Sequence, residues 1–253
     1  MTGRLQRKVA IVTGATSGIG RGIARAMASE GARVLVTGRT AEGGETTCRM
    51  IREAGGEATY WRQDVTAETD WSPTVAQARR VYGGLDILVN NAGFAVMKPI
   101  ESLSLEDVRF ELAINFESCF LGTKHGLAAL SDSGGVILNT ASVASIKGGL
   151  MSTAYAPSKA AMLAFTRAAA LEARRDGGRV RVNAILPGFI WGSQVARFGE
   201  ERANALRTAT IARTPLGRVG EPTDVASMAV YLASDAAKAI TGAALFVDGG
   251  IGL

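Results

Sequence analysis

From residue 9 to residue 247, short runs that are apolar at almost every position alternate with longer segments whose apolar residues recur every three to four places. A short apolar run fits a strand buried on both faces, and the longer period fits a helix with one buried face. The runs at 9–13, 33–37, 58–63, 85–89, 136–138, 180–185 and 244–247 predict seven strands. Between them the pattern predicts helices over 18–30, 41–54, 67–82, 104–129 and 153–175, with Gly31, Gly55-Gly56 and Gly83-Gly84 as stops. Such alternation predicts an α/β fold: a doubly wound, seven-stranded parallel sheet flanked by helices on both faces, with right-handed crossovers. No internal repeat or linker divides the chain, so residues 1–253 are expected to form a single domain. The stretch 191–220 breaks the rhythm and is read as a substrate-loop insertion, with a plain surface excursion as the other reading.

Composition removes several functions. The 253 residues include 28 Lys and Arg against 23 Asp and Glu, a net charge of +5 with the basic residues scattered. Nucleic-acid binding would gather them into a stripe, so no nucleic-acid partner is expected. The mild excess suits an anionic cofactor or carries no meaning. Cys48 and Cys119 are too few for a disulfide framework, which points to a reducing, cytoplasmic setting. No run of about eighteen apolar residues predicts a membrane span, and the apolar run at 9–12 is too short for a signal-peptide core. A single histidine, His125, argues against histidine metal centres and Ser-His-Asp triads, and no metal is expected.

The segment Thr13-Gly14-Ala15-Thr16-Ser17-Gly18-Ile19-Gly20 joins the first strand to the first helix. There Gly14 permits a tight turn, Gly18 a close backbone approach to a cofactor, and Gly20 close helix–sheet packing. The helix N-terminus offers free N–H groups and partial positive charge to a pyrophosphate. This is the dinucleotide-binding arrangement of a Rossmann fold. At the end of the second strand, an acidic residue would bind a free ribose 2′-hydroxyl; the chain has Thr37-Gly38-Arg39 instead. Arg39 can grip a 2′-phosphate bidentately, which favours NADP(H), with NAD(H) and a solvated Arg39 left open.

Tyr155 and Lys159 stand four apart, on one face of the predicted helix. An ordinary phenol titrates near 10, and a neighbouring ammonium would lower that value toward proton exchange at neutral pH. Ser142 follows the fifth strand, at the carboxyl edge where open α/β sheets bind ligands, and is placed to hydrogen-bond a substrate oxygen.

These motifs, with Asp64-Val65, Asn90-Asn91-Ala92-Gly93, Asn115 and Pro187-Gly188, resemble the short-chain dehydrogenase/reductase family over essentially the whole chain. The resemblance implies Tyr155 as general acid/base and Ser142 as the donor orienting a carbonyl. It implies that Lys159 lowers the tyrosine and binds the nicotinamide ribose. It also implies that Asn115 bends its helix and holds a relay water. Asp64 and Val65 would meet the adenine, with Asn91, Ala92 and Gly93 against the adenosine side. Pro187, Gly188 and Ile190 would fix the nicotinamide carboxamide. In the family a threonine usually follows four residues after the Pro-Gly glycine; here Gly192 stands there and Ser193 follows, so Ser193 substitutes or the contact is lost. Its long helices pair across subunits, which implies a homotetramer, although both could be buried within one subunit.

The expected reaction is hydride transfer between a nicotinamide and a small-molecule ketone or secondary alcohol. The pocket candidates Val143, Ala144, Phe94, Leu150, Met151, Phe189, Trp191 and the 193–213 segment are mostly apolar. They predict a hydrophobic, uncharged substrate: a small or cyclic ketone first, a steroid second, an acyl-carrier substrate third. Trp191 reads equally as a substrate wall and as a loop anchor. Epimerisation or dehydration on the same scaffold, and a non-catalytic NADP(H) sensor, are the rival readings.

Overall fold

A computed structural model of the chain describes residues 3–130, 134–192 and 199–253. Its seven strands are β1 (Val9–Val12), β2 (Arg33–Gly38), β3 (Glu57–Arg62), β4 (Ile87–Asn90), β5 (Gly135–Thr140), β6 (Val180–Pro187) and β7 (Ala244–Val247). All neighbours pair in parallel, in the order β3-β2-β1-β4-β5-β6-β7. The order reverses between β1 and β4, and the crevice at their carboxyl ends is where such sheets bind ligands.

Period-two geometry explains why the strands are apolar throughout. Ala10 and Val12 of β1 join one buried cluster, while Val9 and Ile11 join the other. The first cluster takes in α1 (Gly18–Ser29) and α2 (Ala41–Glu53). The second takes in α3 (Trp71–Tyr82) and Leu130, with Trp71 only 1% exposed. Each large side chain so buried contributes roughly 1.5–3 kcal/mol.

The expected helix over 104–129 has three parts: α4 (Leu105–Glu111), a π-helical stretch Leu112–Glu117, and α5 (Ser118–Leu130). Ser104 opens it with a capping box, its hydroxyl accepting from the Asp107 amide at 3.0 Å. Within α5 the glycines serve close packing. A Cβ at Gly122 would lie 2.1 Å from Asn90 Oδ1, and one at Gly126 2.6 Å from Leu88 Cδ2, so α5 lies tight on β4. A short helical turn, α6 (Ala144–Lys147), precedes α7 (Tyr155–Glu172).

The stretch 191–220 contains a further helix, α8 (Glu200–Arg213), while 193–198, including Ser193, lies outside the described residues. Periodicity also leaves α9 (Pro222–Ala233) unassigned. Its run Val225-Ala226-Ser227-Met228-Ala229-Val230-Tyr231-Leu232-Ala233 has almost no polar face to set a period. It packs in the first core cluster, where Gly22 of α1 meets Pro222 so closely that a Cβ would come within 2.8 Å of it.

The α5–β4 contact yields a stability prediction. Gly122→Ala should destabilise the fold by about 1–3 kcal/mol through overpacking, seen as a lower urea midpoint without a change in slope.

Candidate active site

Thr13, directly after β1, ties the two strands flanking the crevice. Its hydroxyl donates to the Val89 carbonyl (3.2 Å) and accepts from the amides of Asn91 (2.9 Å) and Ala92 (3.0 Å). The Asn91 side chain donates to the Thr13 carbonyl at 2.9 Å. Residues 91–96 are thereby led along the crevice edge.

On one side lies the glycine loop. Gly14 (φ +62°) and Gly18 (φ +53°) adopt left-handed backbone that disfavours any side chain. A Cβ at Gly20 would sit 2.4 Å from the Gly14 carbonyl and 2.5 Å from Asn91 Nδ2. What Gly20 permits is thus contact with the loop itself and Asn91, rather than with the sheet. Thr16, Gly18 and Ile19 are half-buried, and Ser17 is exposed just ahead of the first turn of α1. Arg21 braces the loop from behind, its guanidinium donating to the Thr16 carbonyl and to Thr47 Oγ1. Arg39 is exposed beyond the carboxyl end of β2. Its charge reaches Asp64 after β3: burial alone would raise that carboxyl, but two hydrogen bonds from Thr66, Arg39 and Arg62 bring it below the usual value. Val65 is buried beneath.

On the other side, Tyr155 begins α7 and Lys159 lies one turn on, 3% exposed, with Nζ donating to the Thr140 carbonyl (2.8 Å) and 5.9 Å from the tyrosine ring centroid. Ser142, two residues past β5, hydrogen-bonds the phenol, and its Oγ accepts the Ala144 amide at 3.1 Å. Asn115 lies in the π-helical stretch, fully buried. Its amide donates to the Phe94 carbonyl (2.9 Å) and to Ser158 Oγ (3.0 Å), and its oxygen accepts the Phe94 N–H (3.1 Å). Gly93 is wedged between: a Cβ there would lie 2.8 Å from Asn115 Oδ1 and 3.2 Å from Lys159 Nζ. Four side chains from the loop after β5, the π turn and α7 therefore converge at one edge of the crevice, opposite the glycine loop.

A family model described as enoyl-(acyl carrier protein) reductase matches residues 14–252. The NADP-dependent (R)-specific alcohol dehydrogenase of Lentilactobacillus kefiri is 38% identical over 255 residues, spanning 99% of this chain and 98% of that one. The chain belongs to the short-chain dehydrogenase/reductase family. The 3-beta-hydroxysteroid dehydrogenase of Comamonas testosteroni is 37% identical over 254 residues, spanning 99% and 98% of the two chains. A crystal structure of a short-chain type dehydrogenase/reductase from Mycobacterium marinum superposes with a TM-score of 0.91 at 32% identity, over 98% of this chain and 96% of that chain.

In this short-chain dehydrogenase/reductase the electrostatics correct one expectation. Burial pushes the Tyr155 phenol above its ordinary value; the Ser142 hydrogen bond pulls it down and Glu111 pushes it up. The Lys159 ammonium does not set the direction. Burial brings it down to about 8, against Cys119 and Glu111, and its Nζ is turned to Thr140.

Pocket expectations divide. Phe94 lies at the mouth, 38% exposed and edge-on to Phe110, with ring centroids 5.8 Å apart. Val143 and Ala144 follow Ser142, the Val143 amide donating to the Pro187 carbonyl (3.0 Å). Leu150 does not form a wall: it is 87% exposed in a turn bounded by Gly148 (φ +69°) and Met151 (φ +58°). Phe189, Ile190 and Trp191 run beside Gly220, the Trp191 amide donating to its carbonyl at 2.8 Å, and the Arg207 guanidinium of α8 lies 5.3 Å from the Trp191 ring centroid. The ring is therefore anchored within the insertion. Gly188 approaches Asp248 so closely that a Cβ would fall 2.8 Å from its Cα. A separate cavity of about 420 Å³ lies by Val9 and Asp86, away from these groups.

Sequence reasoning leaves out Ser158 and Glu111. Ser158 is fully buried, donating to the Tyr155 carbonyl (2.7 Å) while accepting from Asn115. Its place between Tyr155 and Lys159 was the available signal. Ser158→Ala should lower turnover about tenfold, roughly 1.4 kcal/mol, by freeing Asn115 and the start of α7; steady-state kinetics with unchanged circular dichroism would check this.

Proposed function

We propose that the chain interconverts a hydrophobic ketone and a secondary alcohol with NADP(H), Tyr155 acting as general acid/base. The observation that carries this reading is the convergence of Ser142, Tyr155, Lys159 and Asn115 across the crevice from the glycine loop. The site fits the cofactor. Left-handed Gly14 and Gly18 leave bare backbone beside the first turn of α1, where a pyrophosphate binds. Arg39 would meet the 2′-phosphate, Asp64 and Val65 the adenine, Asn91, Ala92 and Gly93 the adenosine side, and Lys159 the nicotinamide ribose. Pro187, Gly188 and Ile190 would hold the carboxamide. When bound, the nicotinamide supplies or accepts the hydride.

The chain does the rest. Ser142 orients the carbonyl oxygen and donates to it as charge develops there. Tyr155 gives that oxygen a proton in reduction and removes it in oxidation. A phenol held above its ordinary value by burial is protonated at neutral pH, the form that reduction needs. Lys159 holds a positive charge beside the phenol, and a water on the free lone pair of Asn115 Oδ1 joins the pair to solvent. A small or cyclic ketone is the first substrate class, a steroid the second and an acyl-carrier substrate the third; the names of the two relatives, an alcohol dehydrogenase and a 3-beta-hydroxysteroid dehydrogenase, support an alcohol or steroid. Exposed Phe120 and Leu171 on α5 and α7 suit pairing of these helices in a homotetramer. Among the described residues no helix is long and apolar enough to cross a membrane, and both cysteines are free thiols, in keeping with a cytoplasmic enzyme.

Tyr155→Phe should cut turnover by about three orders of magnitude, roughly 4 kcal/mol, with NADPH still bound by fluorescence titration; near-normal turnover would remove the phenol from the chemistry. Arg39→Asp should move kcat/KM from NADPH toward NADH, and an unchanged ratio would place Arg39 outside the phosphate site. Because oxidation needs the phenolate, its rate should climb with pH into the alkaline range, while reduction falls there. NADPH consumption with a ketone panel tests the whole reading, and equimolar oxidised cofactor separates it from epimerisation or dehydration.

A further inference from the structure

Glu111 ends α4, one helical turn ahead of Asn115, and is fully buried. Its Oε1 accepts the Val96 amide, while Oε2 has no hydrogen-bond partner among the described residues. Three side chains thus meet successive parts of one short wall: Lys159 Nζ against Gly93, Asn115 on both polar groups of Phe94, and Glu111 on Val96. A half-satisfied carboxylate in a dry site is unfavourable, and so is an ammonium 3% exposed on the same wall. Each supplies the charge the other lacks.

We infer that Glu111 is a positioning residue of the active site, the buried counter-charge that keeps Lys159 an ammonium and so sets the charge state of the proton-transferring pair. This rests on the oxidoreductase reading of Tyr155 and Lys159. The groups that face Glu111 are Asp107 on its own helix, itself paired with Lys98 at 2.7 Å, and Lys159 and Tyr155 from α7. From α5, Cys119 faces Lys159, but burial pushes its thiol up to about 12 and leaves it neutral. Burial also raises Glu111 itself, opposed by the Val96 amide and by Lys159. The negative charge of Glu111 raises both partners: it resists loss of the proton from Lys159 and formation of phenolate at Tyr155.

Glu111→Gln keeps an acceptor for the Val96 amide and removes the charge. Both partners then titrate lower. The bell-shaped pH profile of kcat/KM for alcohol oxidation should move as a whole to lower pH by about half a unit or more, a threefold change in proton affinity, with the KM for NADP+ unchanged. Glu111→Asp, which keeps the charge, should leave the profile close to that of the wild type. Superimposable wild-type and Glu111→Gln profiles would overturn the inference and leave the oxidoreductase reading intact, whereas a wild-type protein that turns over no ketone or alcohol removes that reading instead. Titration of wild-type protein carrying ε-13C-lysine, with the Lys159 signal assigned through Lys159→Arg, tests the counter-charge without turnover or the Gln variant. An ammonium at neutral pH is expected, and a neutral amine there would overturn the inference.

Discussion

The hydroxyl of Thr13 fastens the crevice from which the rest of the site is hung. It lies where β1 parts company with β4, gives its proton to one strand end and receives two amides from the chain leaving that strand. A parallel sheet leaves such amides without partners once the ladder stops. Satisfying them with one buried hydroxyl directs residues 91–96 along the crevice, between the glycine loop and the first turn of α7. Asn115 and Glu111 then hold the far end of the same segment. The wall is defined by side-chain hydrogen bonds to the backbone of residues 91, 92, 94 and 96, which explains how a short side chain at Ala92 and none at Gly93 suffice there.

Much of this was legible in the sequence, for a physical reason. Strands buried on both faces must be apolar at consecutive positions, so β1, β2, β4 and β6 declared themselves. The helices α1 and α2, each with one wet face, declared themselves by period. The same logic hid α9, whose apolar run gives no phase to read. It also joined α4 and α5 into one helix, since a π turn changes hydrogen bonding without changing composition. Tyr155, Lys159, Ser142 and Asn115 stood out by spacing and resemblance. An apolar residue such as Leu150 carries no sign in the sequence of which way it faces; the turn with left-handed backbone at Gly148 and Met151 directs it to solvent.

The direction of the Tyr155 shift could not be read from spacing. Two residues four apart on a helix share a face, but which influence wins depends on how much water their surroundings exclude. Here the start of α7 is packed by Asn115 and Ser158, and Lys159 reaches to Thr140. Dehydration therefore acts on both groups at once, disfavouring the phenolate and the ammonium alike. A site built this way is poised by the balance of several buried charges, and a group that alters one proton affinity alters its neighbour's as well.

The π turn at Leu112–Glu117 carries a further consequence. An extra residue within one turn rotates everything beyond it by about 100° relative to an uninterrupted helix. Upstream, Glu111 looks into the crevice; downstream, Gly122 and Gly126 look onto β4. The turn works as a phase adapter between two rigid rods with different facing requirements. Chain length across it is therefore constrained more tightly than residue type: losing a single residue there would turn either the carboxylate from its wall or the glycines from their strand, and no side-chain substitution elsewhere could bring both back into register.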